Sequence, residues 1–390
     1  MRSNTWRALF LLSLTLILVS TAMDAQAARR SSLAGNQFIN DPDDMFAFPQ
    51  LTHQYKNRVI FDLGQGGDEG SGSVVFGENS VWNFNTGRGM YANTTSWAWG
   101  GTDRNPMGIE NPDYEWWDLG WATHFGDTPF GIRLNWATDS NKSIPGGQTE
   151  PDFEDSESMF GIQLGTTLGS VELAAEVGFG SYSDKTPGLD PSDQNDYSMS
   201  LITLLARGDL EDKGGLDWRW IAAFSTASTS YKAEGVPNDS GTAFRGSFGP
   251  VWGTPGEWEV AAYMSFDYMS YEEANFNGPD LKDKFSSTFF PAYNMAMEYY
   301  LNSWFVLRGG VMSYHEMYKQ EYEVAADDTQ EDNDRYFELY WTLGLGVDKG
   351  NWGLDMALNE DNVHSGYIVF NGDQQYDNHP LALISAWLAW

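Results

Sequence analysis

The chain has no cysteine. No disulfide can staple its fold, and thiol nucleophiles and thiolate metal sites are excluded. Beyond the first 27 residues it also lacks any apolar run long enough for a membrane helix, and its mean hydropathy is negative. Such a chain ordinarily passes as water-soluble. Strands that alternate apolar and polar residues, however, dilute their own hydrophobicity by half, so low hydropathy leaves a membrane open to them. Basic residues are scarce, 22 Lys and Arg against 55 Asp and Glu, for a formal net charge of -33. That balance repels nucleic acid and anionic surfaces and favours cations or a salt-rich surrounding. His53, His124, His315, His364 and His379 show neither a His-Glu-x-x-His spacing nor a paired metal-ligand pattern, so no metal or other cofactor is expected.

Aromatic residues, by contrast, make up 15% of the chain, which sets it apart from disordered acidic sequences. Rings with a polar edge suit the two lipid–water boundaries. At the amino terminus Arg2 and Arg7 precede a short apolar core, Leu9 to Val19, and Ala25-Gln26-Ala27 offers a small-x-small cleavage site. Residues 1–27 therefore read as a secretory signal peptide removed after Ala27.

The rest is built on a period of two. Val171, Leu173, Ala175, Val177 and Phe179 share one face of a strand, and Glu172, Ala174, Glu176 and Gly178 the other. In a helix those glutamates would fall among the apolar residues, so the period decides for strand. The same split recurs at 257–267, 338–347, 352–358 and 130–137. Connections between strands alternate between short ones, such as Gly126 to Pro129 and Leu168 to Ser170, and long ones near 140–156, 184–196, 232–241, 272–284, 323–334 and 361–379. Almost no helical material is available to cover an apolar sheet face. The physical solution is an all-β, transmembrane, antiparallel up-and-down barrel with short periplasmic turns, long extracellular loops and both termini in the periplasm. Thirteen strands are counted from Trp116 to the end, and Arg58 to Gly64, Gly72 to Gly77 and Val81 to Asn93 bring the total to sixteen. Fourteen is the fallback, with Gln65 to Thr95 folded into the lumen. Residues 28–56 are then a periplasmic segment or partial plug, and 57–390 the barrel.

Leu381 to Trp390 ends on an aromatic residue, with Leu388, Ala386 and Ile384 at alternate preceding positions. Together with Trp390 these resemble the insertion signal of bacterial outer-membrane barrels, which implies a Gram-negative outer membrane, periplasmic chaperones and the barrel-assembly machinery as partners. Asp41-Pro42-Asp43-Asp44-Met45-Phe46-Ala47-Phe48-Pro49-Gln50-Leu51, followed by Val59-Ile60-Phe61, resembles the pre-barrel segment of long-chain fatty acid transporter-type barrels. Phe48-Pro49-Gln50-Leu51 stands where that family has an Asn-Pro-Ala-Leu-like turn. The resemblance implies that Asp41 to Leu51 partly occupies the lumen.

Strand alternation assigns Glu172, Glu176, Glu257, Glu259, Asp267, Glu298, Glu338 and Asp355 to the lumen, facing Arg133, Arg219 and Arg308. These charges fit either a ladder of ion pairs filling a narrow interior or an acid-lined path for cations. Acidic runs, Asp327, Asp328, Glu331, Asp332, Asp334 and Glu150, Asp152, Glu154, Asp155, Glu157, lack calcium-loop spacing. They read as solvated faces, with loose divalent bridging to lipopolysaccharide as the alternative. Gly64 to Gly70 lies between strands and reads as a loop, not a phosphate cradle. The expected function is a porin-like channel or transporter for small or hydrophobic solutes, not an enzyme. The alternatives are a non-conducting structural or adhesive surface barrel and, more distantly, a rim hydrolase using His315 near Glu316 or His364 near Asp361. The sequence does not fix the oligomeric state.

Overall fold

A computed structural model describes residues 28–63, 70–86, 115–143, 153–184, 196–210, 216–231, 238–254, 256–274, 282–325, 328–358 and 381–390. The first strands are β1 (Arg58–Leu63), β2 (Gly70–Gly77), β3 (Val81–Thr86), β4 (Glu115–Phe125), β5 (Thr128–Ser143), β6 (Phe153–Leu168), β7 (Val171–Asp184) and β8 (Tyr197–Leu210). They continue with β9 (Asp217–Tyr231), β10 (Asp239–Thr254), β11 (Trp258–Ala274), β12 (Lys282–Tyr300), β13 (Phe305–Ala325), β14 (Asp328–Asp348), β15 (Trp352–Leu358) and β16 (Leu381–Ala389). Each pairs antiparallel with its sequence neighbours, and β1 pairs with β16 to close the sheet into a barrel. The count of sixteen and the up-and-down order match the periodicity of the sequence.

Why the sheet closes follows from its two faces. Phe160, Ile162, Leu164, Phe179, Ile202 and Leu204 point outward and are exposed, Phe160 by 44% and Leu164 by 46%. An apolar belt of that extent has no place in water and needs hydrocarbon. Closure removes the free edges that lipid could not satisfy with hydrogen bonds. At the end carrying the short turns, outward Trp304, Trp352 and Trp390 mark the boundary level. Two of those turns reverse at Gly126 and Gly169, whose φ of 64° and 62° is left-handed backbone that a side chain would strain.

The other end departs from the sequence expectation. Strands run on where long loops are expected, and the connection placed at 323–334 shrinks to residues 326–327 between β13 and β14. Lys319 explains part of this, reaching Glu321 at 2.6 Å and Glu331 at 3.3 Å and offsetting charge that otherwise reads as loop. Asp334 accepts the Tyr336 hydroxyl at 2.9 Å. The 140–156 connection likewise shortens to 144–152. The signal peptide, the Gly-rich stretch 64–69, the loop 361–379 with His364 and His379, and Glu150, Asp152 and Asp327 lie outside the described residues.

Candidate functional site in the barrel lumen

Residues 28–56 lie inside the cylinder. Helix α1 (Ala28–Ser32) packs on β13 to β16, a turn at Ala34 and Gly35 reverses the chain, and α2 (Asp44–Ala47) and a 3-10 helix (Pro49–Tyr55) run along β3 to β6. Local chemistry fixes this path. The Asn36 side-chain oxygen accepts the Phe38 and Ile39 amides at 2.9 and 3.1 Å, and Asp41 accepts the Asp43 amide at 2.9 Å. Pro49 opens the 3-10 helix, where its missing N–H is no loss. Asn57, at φ 58°, turns the chain into β1 while its carbonyl accepts the Trp390 amide at 3.1 Å.

Two kinds of contact hold the segment. The first is apolar: Phe38, Ile39, Ala47, Phe48 and Leu51 form one buried cluster with inward Leu205, Ile221, Ala223, Ala243 and Ala261. Inward glycines make room for the backbone. A Cβ on Gly131 or Gly165 would collide with Pro49 and Gln50, and one on Gly310 or Gly344 with Leu33, Ala34 or Ser32.

The second is ionic. Arg29 grips Glu298 at 2.7 and 2.8 Å, and Arg308 bridges Glu298 to Asp355 at 2.5 Å each. Asp44 takes Arg30 and also Arg207, the latter at 2.8 Å, and Arg207 reaches Glu172 at 2.6 Å. Burial alone would raise the Asp44 carboxyl, yet Arg207 and Arg30 outweigh it and hold it below the ordinary carboxylate range. Arg133 donates to Asp118 at 2.7 Å and to the Phe46 carbonyl at 2.9 Å, while Gln163 donates to the Ala47 carbonyl at 2.9 Å. Arg219 ties Asp209 at 2.6 Å to Asn40 at 2.9 Å and to the Phe38 carbonyl.

The residues assigned to the lumen from the sequence distribute as follows. Glu298, Asp355, Arg133, Arg219 and Arg308 meet the N-terminal segment or one another in this network, and Glu172 joins it through Arg207. Glu176 is buried beside Asn135 at 3.3 Å, Asp267 pairs with Arg245 at 2.9 and 3.0 Å, and Glu259 is half-buried on the same inner face. Glu338 stands farther toward the long-connection end, accepting the Tyr314 hydroxyl at 2.6 Å and the Tyr340 hydroxyl. Glu257 is a correction: it is exposed in the turn before β11, because strand pairing there begins only at Trp258. Ile384, Ala386, Leu388 and Trp390 alternate with the inward Ser385 and Trp387, and Leu388 and Trp390 are exposed. His315 turns outward onto Phe337 at 4.9 Å, whereas Glu316 points inward to Ser287 at 2.6 Å. Successive strand residues face opposite sides, so the two cannot form a dyad.

Sequence reasoning missed Arg29, Arg30, Asp44, Asp118, Arg207 and Arg245. Arg207 follows Leu201-Ile202-Thr203-Leu204-Leu205-Ala206, a run largely apolar on both faces because inward Leu205 meets the N-terminal segment and inward Leu201 the methionine cluster instead of water. That double-sided run is the signal that could have revealed a packed interior.

Between the segment and the long-connection end, the wall changes character. Met159, Met199, Leu201, Ala137 and Ala227 form a buried apolar floor with Tyr197 against it. Above it Tyr182 stacks on Tyr197 with centroids 4.9 Å apart, Tyr231 meets Tyr197 edge-on at 5.7 Å, and Tyr231 donates to Asp239 at 2.5 Å. Across the lumen Phe289 meets Tyr314 edge-on at 5.2 Å.

No family model matches the sequence, and no curated protein is similar to it. Solved structures are similar at low identity. The ferric yersiniabactin uptake receptor FyuA of Yersinia pestis is 11% identical over 63% of this chain and 44% of its own, with a TM-score of 0.39. The FrpB iron transporter of Neisseria meningitidis is 10% identical over 82% and 70%, with a TM-score of 0.36. The toluene transporter TodX of P. putida is 11% identical over 94% and 99%, with a TM-score of 0.32. This chain spans less than half the length of FyuA and of the siderophore receptor PiuA of Acinetobacter baumannii.

Proposed function

We propose that the chain is an outer-membrane transporter for a small, largely apolar solute, closed at rest by its own residues 28–56. One observation carries this reading: the middle of the lumen holds an apolar core, Phe38, Phe48 and Leu51 against Leu205 and Ile221, where an open porin has charged walls and water. The solute enters from the long-connection end, meets the tyrosine wall and rests on the methionine-rich floor, since thioether and aromatic surfaces accommodate apolar bodies of varied shape. The lumenal carboxylates support a structural role over an open cation path, because most are held by guanidinium groups. The test is binding of naphthalene to the protein in nanodiscs, measured by its fluorescence against empty nanodiscs. Saturable binding that Leu201→Arg abolishes is expected. Binding no greater than to empty nanodiscs overturns the reading.

One feature favours the alternative of a surface barrel that carries no solute. Strands β12 to β14 reach 19 to 21 residues, so their hairpin stands clear of the membrane as a polar wall. The same titration separates the two, since an adhesive barrel has no saturable site for the solute.

A further inference from the structure

The inner face carries an unbroken row of short polar side chains across the seam where the barrel closes. Ser71, Asp62, Ser385 and Asp355 stand directly opposite one another on β2, β1, β16 and β15. All four are buried. Ser71 and Ser385 donate to the two Asp62 oxygens at 2.9 and 2.5 Å. The Ala28 nitrogen completes the row, donating to Ser385 Oγ at 2.7 Å. Ala28 is also the residue that follows Ala25-Gln26-Ala27 in the sequence.

We propose that Ala28 is the N-terminal residue of the mature protein and that its α-ammonium is bound inside the barrel, on Ser385 and on the side of the Asp62 carboxylate that Ser385 contacts. Hydrolysis of the Ala27–Ala28 bond by a signal peptidase consumes one water, leaving a carboxylate on Ala27 and an ammonium on Ala28. The nitrogen then has three protons in place of one, together with a positive charge. Ser385 Oγ accepts a hydrogen bond from one of these N–H groups, and the Asp62 carboxylate to which Ser385 donates supplies the opposite charge. Charge-assisted hydrogen bonds of this kind are about twice as strong as neutral ones. In the uncut precursor the same nitrogen is a neutral amide and gains none of this. The contact joins the first strand, the last strand and the lumenal segment at one point, so processing and seating of the segment become one event.

The experiment expresses the full precursor in a Gram-negative host and purifies the barrel from the outer membrane. Intact mass is expected to correspond to a chain beginning at Ala28. A second precursor has Gly-Gly inserted between Ala27 and Ala28, so that the peptidase still cuts after Ala27 and the ammonium is displaced by two residues. Heat-modifiable gel migration checks that the barrel has closed. Trypsin cleavage at Arg29 and Arg30 is expected to be at least tenfold faster in the insertion variant, and this difference is expected to shrink below threefold in an Asp62→Asn background. Ser385→Ala replaces Asp62→Asn if the latter does not close. A mature chain beginning elsewhere, no effect of the insertion, or an equal effect in both backgrounds overturns the proposal. None of these readouts involves a solute, so failure of the transport reading leaves them untouched.

Discussion

Asp44 holds two guanidinium groups inside the barrel, Arg30 from its own segment and Arg207 from the wall, and so welds one to the other. Removing one partner of a buried pair strands the rest without compensation and costs about 3–5 kcal/mol. Arg207→Ala is therefore expected to release residues 28–56 to trypsin while the barrel keeps its heat-modifiable migration. Cleavage no faster than in the parent would show that the network is ornamental to seating. A second residue-level effect depends on pH. His53 on the 3-10 helix and His124 on β4 have ring centroids 4.5 Å apart. Burial, then His124 and Lys56, hold the His53 imidazole below its ordinary value. A base so depressed binds fewer protons folded than unfolded, so stability rises with pH. The segment is seated most firmly above the ordinary histidine value of about 6.5 and loosens as pH falls below it. Asp44 adds to the loosening only on further acidification, as pH falls through its own depressed value. Hydrogen exchange of the amides of residues 51–55, corrected for intrinsic rates, is expected to quicken between pH 8 and 5.5, and His124→Phe to flatten that dependence.

At the scale of the element, the inner faces of β5 and β6 are cut to receive the 3-10 helix. Gly131 and Gly165 lie under Pro49 and Gln50 with no space for a methyl group. Gly131→Ala is expected to cost about 1–3 kcal/mol through overpacking and to unseat the helix without unpairing the strands. Faster proteolysis of the segment with unchanged far-ultraviolet circular dichroism is the expected signature. The same strands show where the sequence is legible. Alternation marks β7, β11, β14 and β15 because lipid outside and polar groups inside impose opposite demands on successive residues. It fades in β8, where Leu205 faces Phe48, Ile39 and their neighbours, and Leu201 the methionine cluster, instead of water. A glycine on an inner face reads as merely polar-side until the segment beneath it is known. For that reason the barrel is written plainly in the chain, whereas the lumenal network, whose bonded partners lie up to 357 residues apart, is not.

The whole molecule is a cylinder of uneven height whose lumen holds residues 28–56. Strands of 21 residues, at about 3.3 Å per residue and a tilt of about 40°, rise roughly 50 Å, about twice the apolar band of such barrels. Their excess forms the long-connection rim, where the acidic β13–β14 hairpin projects into solvent. Below it the tyrosine wall leads to the methionine-rich floor, and below that residues 28–56 occupy the lumen. On the proposed reading the molecule separates two properties that an open porin combines, a membrane-spanning cylinder and a standing water path. Single-channel recording in a planar bilayer tests that separation most directly. The account predicts that the native barrel shows no sustained ion conductance, and that the Gly131→Ala, Gly165→Ala double variant opens steps with a reversal potential favouring cations. Steady porin-like conductance from the native protein, with residues 28–56 still protected from trypsin, would contradict it.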